Sequence, residues 1–441
     1  MTEPKGAAMK DKKGGDVAIQ WHGFYRGKVG TQIKVPITSL NDFSYWYTPY
    51  VADVCRAIQA DDHRQYELTN KSNLVAVVTD GTRILGLGDI GPKAGMPVME
   101  GKALIFKYLG DVDAFPICLG TKDADHIVQA VKWIAPTFGG INLEDIDSPK
   151  CFKVLKELTR QLDIFVWHDD QQGTATVILA GLINALKVAG KKIGEIQTTV
   201  IGAGAAGIPT ARLLIEAGAR REDVIMVDSK GILYDGRPDM DDWKAGIARI
   251  TNGDRKTGEI EEALEGSDVV IAISKPGPGV VTKEMVKSMA SNSIVFALAN
   301  PTPEILPTDA KEAGAKVVAT GRSDFPNQVN NSLGFPAILR GALDVHAKAI
   351  NTEMMIEAAT EVAKFAEEKG ISEDYIVPRM TELEMYPREA AAIVRAAIRT
   401  GAARVKVDPK QVQEDMLKRI MANKKINELL MKEGFIKPFP R

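Results

Sequence analysis

"TTVIGAGAAGIPTARLLIEAG", Thr198 to Gly218, decides the fold. The spacing Gly202-x-Gly204-x-x-Gly207 follows a strand directly and opens a helix. Glycines there permit a tight turn and let the backbone approach a pyrophosphate, whose charge the free N–H groups of the helix N-terminus can meet. Alone, such a spacing is a weak signal. Here the next apolar run, "DVIMVDS", ends in Asp228, about twenty residues past the last glycine, where an acid for the ribose hydroxyls belongs. The turn residues Gly202, Ala203, Gly204, Ala205, Ala206 and Gly207, with Asp228, are therefore expected to bind a dinucleotide. A carboxylate at Asp228 repels a 2′-phosphate, so the expectation leans to NAD over NADP; Lys230, two residues on, softens that repulsion.

Working outward, "DVVIAIS", "SIVFALANPT" and "AKVVATG" are further short β-runs that end in Gly, Pro, Ser or Asn, with helical segments between them. That alternation predicts a Rossmann-type, doubly wound parallel sheet with ligands at the carboxyl ends of its strands. From His22 to about Val166 the chain mixes strands ("NLVAVVTDG", "DAFPICLGT", a third after Gly139-Gly140) with helices, which predicts an α/β unit. "GTATVILAGLINALKVAG" reads as a small-residue helix ending near Gly190, and beyond about Ala342 only helices are expected. The expected division is 1–172, 173–345 and a helical segment 346–441.

Lys plus Arg (56) nearly balance Asp plus Glu (58), so no global field invites nucleic acid. The three cysteines, Cys55, Cys118 and Cys151, are scattered, which fits buried thiols in a reducing compartment. The polar start, "MTEPKGAAMKDKKGGDVA", has no signal core and reads as a frayed leader to about Asp16. No apolar run is expected to span a bilayer of roughly 18 residues. The expected location is cytoplasmic, with no membrane partner.

The chemistry is concentrated elsewhere. "DIFVWHDDQQGTATV" places adjacent carboxylates, Asp169 and Asp170, after an apolar run, and "GGINLEDID" does the same with Glu144 and Asp145. Each pair alone suits a solvated loop; two such pairs suggest one oxygen-rich site for Mg²⁺ or Mn²⁺, since hard cations prefer carboxylates. The five histidines are too dispersed for zinc. Val78 to Gly110 packs seven glycines around Arg83 and Lys102. Lys102 is either a snorkelling helix-start lysine or a base with lowered pKa, and Arg83 either a surface cation or a fork for a substrate carboxylate. Tyr45, Tyr47 and Tyr50 surround a Thr-Pro turn, a place where aromatics serve either core or chemistry; Asn300 and Asn330-Asn331 supply neutral hydrogen-bonding groups or turn chemistry at the sheet's carboxyl edge.

The ordered series "YTPYVADVC", "VTDGTRILGLGDIGPKAGMPVMEGKALIFK", "INLEDI", "HDDQQGTATV", "GAGAAG", "VDSKG", "ALANPTPE" and "NQVNNSLGFPAILRGALDV" resembles the malic enzyme family, particularly its short bacterial and archaeal form, over roughly residues 20–400. The resemblance implies metal-dependent oxidative decarboxylation of L-malate to pyruvate and CO₂ with reduction of NAD or NADP. It implies Tyr47 as general acid and Lys102 as general base. Arg83 would hold a malate carboxylate, and Asn300 and Asn331 would complete the substrate pocket, Asn300 also beside the cofactor. Glu144, Asp145 and Asp170 would be metal ligands. It further implies a homodimer or higher homo-oligomer whose contact includes the Tyr47 segment. Family members usually carry Tyr-Thr-Pro-Gly-Val, and Tyr50 stands where that glycine belongs. The alternative is accordingly a related decarboxylating dehydrogenase acting on a bulkier 2-hydroxy diacid. The phosphotransacetylase-like extension of some bacterial relatives is not expected.

Overall fold

The computed structural model describes residues 14–439; the leader expected to about Asp16 lies largely outside the described residues, and a helix already begins at Gly14. Helices of ten or more residues are numbered here in chain order. The first half opens with α1 (Gly14–Tyr25) and α2 (Val51–Ala60). Its sheet consists of β1 (Leu74–Thr79), β2 (Asp113–Cys118), β3 (Gly140–Leu143) and β4 (Phe165–His168), ordered β2-β1-β3-β4 and wholly parallel. Between these strands run α3 (Gly91–Gly110), α4 (Ala124–Ile134) and α5 (Lys150–Gln161). Strands β1, β3 and β4 are near-continuous apolar runs because helices cover both faces of a parallel sheet.

After α6 (Thr174–Ala189) comes the second sheet: β5 (Thr198–Ile201), β6 (Val224–Asp228), β7 (Gly231–Ile232), β8 (Val269–Ala272), β9 (Ile294–Ala297) and β10 (Val317–Thr320). Its order, β10-β9-β8-β5-β6-β7, is that of the doubly wound dinucleotide fold. It departs from the expected all-parallel sheet only at β7, a two-residue edge strand antiparallel to β6. The glycine turn leads into α7 (Gly207–Glu216); α8 (Phe335–Asp344), α9 (Thr352–Lys369), α10 (Met385–Thr400) and α11 (Pro409–Lys432) complete the chain.

One apolar core runs through both halves, from Val75 and Trp167 to Phe296 and Tyr386. Helix α6 is its spine and packs against α7 and α9 as well as the second sheet. Small residues let it: a Cβ on Gly181 would stand 3.2 Å from the Phe296 ring and 3.1 Å from Val329. One helix bears on the expectation that no apolar run spans a bilayer. By length and composition Asp169–Ala189 would suffice, but 72% of its apolar 18-residue window is buried inside the protein, as suits a core helix.

Candidate active site

Strand β4 ends in Trp167-His168, and the chain then makes a π-type turn, Asp169–Gly173, before α6. Such turns recur at functional sites because they re-aim side chains without ending the helix. Glycine is required at its last position: a Cβ on Gly173 would stand 2.1 Å from Asp169 Oδ1. Asp169 itself is fully buried. It accepts hydrogen bonds from Trp167 Nε1 (3.1 Å), Asn331 Nδ2 (2.9 Å) and Lys102 Nζ (2.5 Å). Three elements, β4, α3 and the segment before α8, thus converge on one carboxylate.

Lys102 also contacts Glu144 Oε1 at 2.9 Å, and its ammonium lies 4.1 Å from the centre of the Phe335 ring. Burial alone would lower its pKa. The charges of Asp169 and Glu144 outweigh that and raise it. A lysine with lowered pKa was one reading of the sequence; the structure reverses the direction, because two carboxylates hold the proton in place.

Glu144 follows β3 and accepts from Asn142 Nδ2 at 2.9 Å. Asp145 adopts a left-handed backbone (φ 54°), a conformation Asp tolerates better than most residues. That lets its N–H donate to Asp170 Oδ2 (2.8 Å) while its carbonyl accepts from the Arg83 N–H (3.0 Å). Burial and neighbouring negative charge push Glu144, Asp145 and Asp170 above the usual carboxylate range. Asp145 Oδ2 is buried without a partner. With all four carboxylates ionised (Glu144, Asp145, Asp169, Asp170), two cations (Lys102, Arg83) would leave a deficit of two positive charges, which adds to burial in keeping protons on Glu144, Asp145 and Asp170. Among the described residues no three His, Cys, Asp or Glu side chains are drawn together as a finished metal site. The oxygen-only donor set, the orphaned Asp145 oxygen and the charge deficit nevertheless fit a hard divalent cation.

His168, buried with neither ring nitrogen hydrogen-bonded, has its pKa pushed down to about 3 by burial and stays neutral. Its Nδ1 lies 3.6 Å from Asp170 Oδ2. The Arg83 loop is anchored from below by buried Asp80, which binds Thr82 and forms an ion pair with Lys150. Arg83 itself is exposed, and among the described residues no carboxylate pairs with its guanidinium. Buried Glu304 accepts from Ser274 N (2.8 Å) and Ala299 N (3.0 Å), tying the loop that carries Asn300 to the loop after β8.

Part of this cluster borders a cleft of about 680 Å³ between the two sheets, with Asp169 and His168 buried behind its wall. Arg83, Lys102, Glu144, Asp145 and Asp170 line it from one side; Gly204, Ala205, Ala206, Asn300 and Asn331 line it from the other. The glycines divide their work. A Cβ on Gly202 would stand 2.4 Å from Ile273 O, and one on Gly207 1.7 Å from Gly202 O, so these two are demanded by packing. Gly204 has open space and faces the cleft, leaving the backbone accessible to a pyrophosphate. Ala203 is buried behind the turn.

Two expected site residues stand apart. Tyr47 is 70% exposed and does not border the cleft; Tyr45 and Tyr50 stack beside it with ring centres 5.4 Å apart. Asp228 sits at the end of β6 but is engaged by Arg237 and Lys244. Sequence reasoning passed over the Phe335 ring, the Asp80–Lys150 anchor, Glu304, Arg237 and Lys244. Only Glu304 had a local signal, its place in "NPTPE" at a strand end.

The chain matches the family models described as "Malic enzyme, N-terminal domain" over residues 26–159 and "Malic enzyme, NAD binding domain" over 171–398. It is 51% identical over 398 residues to the bifunctional malic/malolactic enzyme of Bacillus subtilis, covering 90% of this chain and 96% of that one. It is 50% identical to the NAD-dependent malic enzyme of Geobacillus stearothermophilus, over 86% and 78% of the two chains. The crystal structure of Entamoeba histolytica malic enzyme superposes with a TM-score of 0.93 at 45% identity, over 97% of this chain and 90% of that one. Two matches that together run from residue 26 to 398, on a doubly wound sheet facing a carboxylate-rich cleft, establish that this chain belongs to the malic enzyme family.

Proposed function

We propose that the protein oxidatively decarboxylates L-malate to pyruvate and CO₂, reducing NAD or NADP, in a cleft that holds Mg²⁺ or Mn²⁺. The observation that carries this is Lys102, clamped between Asp169 and Glu144 in the same cleft as Arg83 and the glycine turn. Relatives named as NAD-dependent and as NADP-dependent are both similar to this chain.

Arg83, whose guanidinium pairs with no carboxylate among the described residues, binds a carboxylate of malate through its planar fork. Asn300 and Asn331 complete the substrate pocket, and Asn331 also holds Asp169 in place. Glu144, Asp145 and Asp170 are the metal ligands. They would hold a divalent cation, which would supply neutralising charge and polarise the C2 oxygen when bound. Glu144 is one of the two anions that keep Lys102 protonated, so Lys102 becomes a better base when Glu144 is engaged as a ligand. Lys102, once its ammonium has given up a proton to solvent, takes the hydroxyl proton as hydride leaves C2 for the nicotinamide, and Tyr47 protonates C3 of the enolate left by decarboxylation.

Tyr47 reaches this cleft from a second copy of the chain. Its segment exposes Leu40 (85%), Tyr45, Trp46 and Tyr50 together, a surface that suits a subunit contact in a cytoplasmic homodimer. The test of the reaction is absorbance of reduced cofactor with L-malate and Mn²⁺, with NAD and NADP in parallel. No reduction with either cofactor overturns the assignment; faster turnover of a bulkier 2-hydroxy diacid favours the alternative substrate.

A further inference from the structure

The acid that would discriminate against NADP is not free to do so. Asp228 closes β6, where a doubly wound sheet receives the adenosine ribose. A carboxylate offers about four acceptor positions, and here all four are used. Oδ1 accepts from Lys230 N and Arg237 Nη1, each at 2.9 Å; Oδ2 accepts from Arg237 Nη2 and Lys244 Nζ, each at 2.7 Å. The side chains of Asp228 and Arg237 are 6% and 7% exposed, so this bidentate pair is internal. Ribose hydroxyls could bind Asp228 only by displacing one of these donors, the most accessible being Lys244.

Charge points the same way. Within the triad one carboxylate faces two cations, an excess of one positive charge that Asp241, which caps the following helix, partly offsets. Arg237 spends its remaining Nη1 capacity on the carbonyls of Gly231 and Ile232, and its Nε has no acceptor. Lys244 is partly exposed, at 26% of its side chain, and its position is fixed from behind because its backbone N–H caps on Asp241. Lys230, on the same turn, extends into solvent with only an exposed partner, Asp239, at 3.5 Å.

We propose that this corner takes the 2′-phosphate of NADP: Lys244 and Lys230 meet the phosphate, while Asp228 and Arg237 orient Lys244 and do not bind the ribose hydroxyls. The proposal rests on the dinucleotide reading of the glycine turn and deepens it, for it makes NADP at least as good a ligand as NAD. Strong hydrogen bonding already holds Asp228 down at about 2, against the upward push of its burial, so its carboxylate stays ionised at neutral pH.

The test is calorimetric binding of NAD⁺ and NADP⁺ to the full chain, without malate or metal, so that turnover plays no part. NADP⁺ should bind at least as tightly as NAD⁺. Lys244→Ala should weaken NADP⁺ relative to NAD⁺ by about 10- to 100-fold, the range for a lost charge-assisted hydrogen bond. Lys244→Arg should restore most of the difference. Lys230→Ala, a surface change that leaves the triad intact, should act in the same direction and less strongly. Wild-type preference for NAD⁺ beyond tenfold overturns the proposal, as does equal weakening of both cofactors by Lys244→Ala in a protein with unchanged thermal midpoint. Failure of both cofactors to bind wild type overturns the dinucleotide reading itself.

Discussion

Asp169→Asn is the sharpest probe of how the cleft is held. Asp169 is fully buried, and its Oδ2 accepts from both Lys102 and Asn331 while Oδ1 accepts from Trp167. The amide keeps shape and volume. It can retain the Trp167 bond, but it then presents a donor where Lys102 and Asn331 also donate. Losing the charge-assisted bond from Lys102 costs about 1.5–3 kcal/mol and the neutral one from Asn331 about 0.5–1.5. Removing one of four crowded carboxylates returns part of this, and Lys102 keeps Glu144, so the net loss should be about 2–3 kcal/mol, short of the 3–5 for a charge left wholly unpaired. The assay is urea unfolding followed by tryptophan fluorescence in metal-free buffer at pH 7, with the midpoint expected to fall at unchanged slope. Malate oxidation should fall about 10²-fold or more, because Lys102 is no longer aimed. A variant within 0.5 kcal/mol of wild type, or one more stable, would refute the reasoning: the cluster would then be dominated by anion repulsion and not by the lysine clamp.

The other predictions follow from the same geometry. Lys102→Ala should lower malate oxidation by about 10²- to 10⁴-fold with cofactor binding retained by calorimetry, and small amines should partly rescue it; retained activity excludes Lys102 as the base. Tyr47→Phe and Lys102→Ala should each be impaired alone, yet mixing them under subunit exchange should recover about a quarter of wild-type activity, since half the dimers are mixed and each has one intact site. No recovery means that both groups act from one chain. Mn²⁺ should raise the thermal midpoint more at pH 8 than at pH 6, because Glu144, Asp145 and Asp170 hold protons above their usual range and rising pH removes the competing proton; an equal shift at both pH values argues against these ligands. His168, neutral with a folded pKa of about 3 against about 6.5 unfolded, contributes stability that is complete above pH 6.5 and lost as pH falls toward 3, up to about 5 kcal/mol. His168→Gln should therefore flatten that part of the acid-unfolding curve, and an unchanged slope would show that other groups set it.

The strands were legible because a parallel sheet buried on both faces leaves a plain mark, a short apolar run closed by Gly, Asp or Asn. All four strands of the first sheet and five of the second fall on such runs. Strand β7 was not legible: two residues, Gly231-Ile232, are too short for any periodicity, and they exist as a strand only because β6 offers an edge. Helix α8 begins at Phe335, ahead of the expected start of the all-helical region near Ala342, with Pro336 in its first turn. The acids at the ends of β3 and β4 were likewise visible, since adjacent anions after a buried run need a counter-charge.

What the sequence did not carry was the state of those groups. Lys102 was open to reading as a depressed base because its chain neighbours Gly101 and Ala103 are uncharged and Glu100 is not among its partners; its partner Asp169 lies 67 residues away, and their meeting depends on a turn whose last glycine leaves room for the carboxylate. Asp228 matched its motif position and therefore read as an empty acceptor, yet Arg237 and Lys244, nine and sixteen residues on, fill its acceptor positions together with the Lys230 backbone N–H. Tyr47 is the extreme case: within one copy it stands on an exposed segment away from Lys102 and the cleft, and nothing in its local sequence signals that separation. A motif position specifies which atom faces a ligand when the backbone does the work, as at Gly204. Where an ionisable side chain does the work, its proton and its free lone pairs are set by neighbours distant in sequence. Lys102 and Asp228 are for that reason the residues whose chemistry only the folded chain defines.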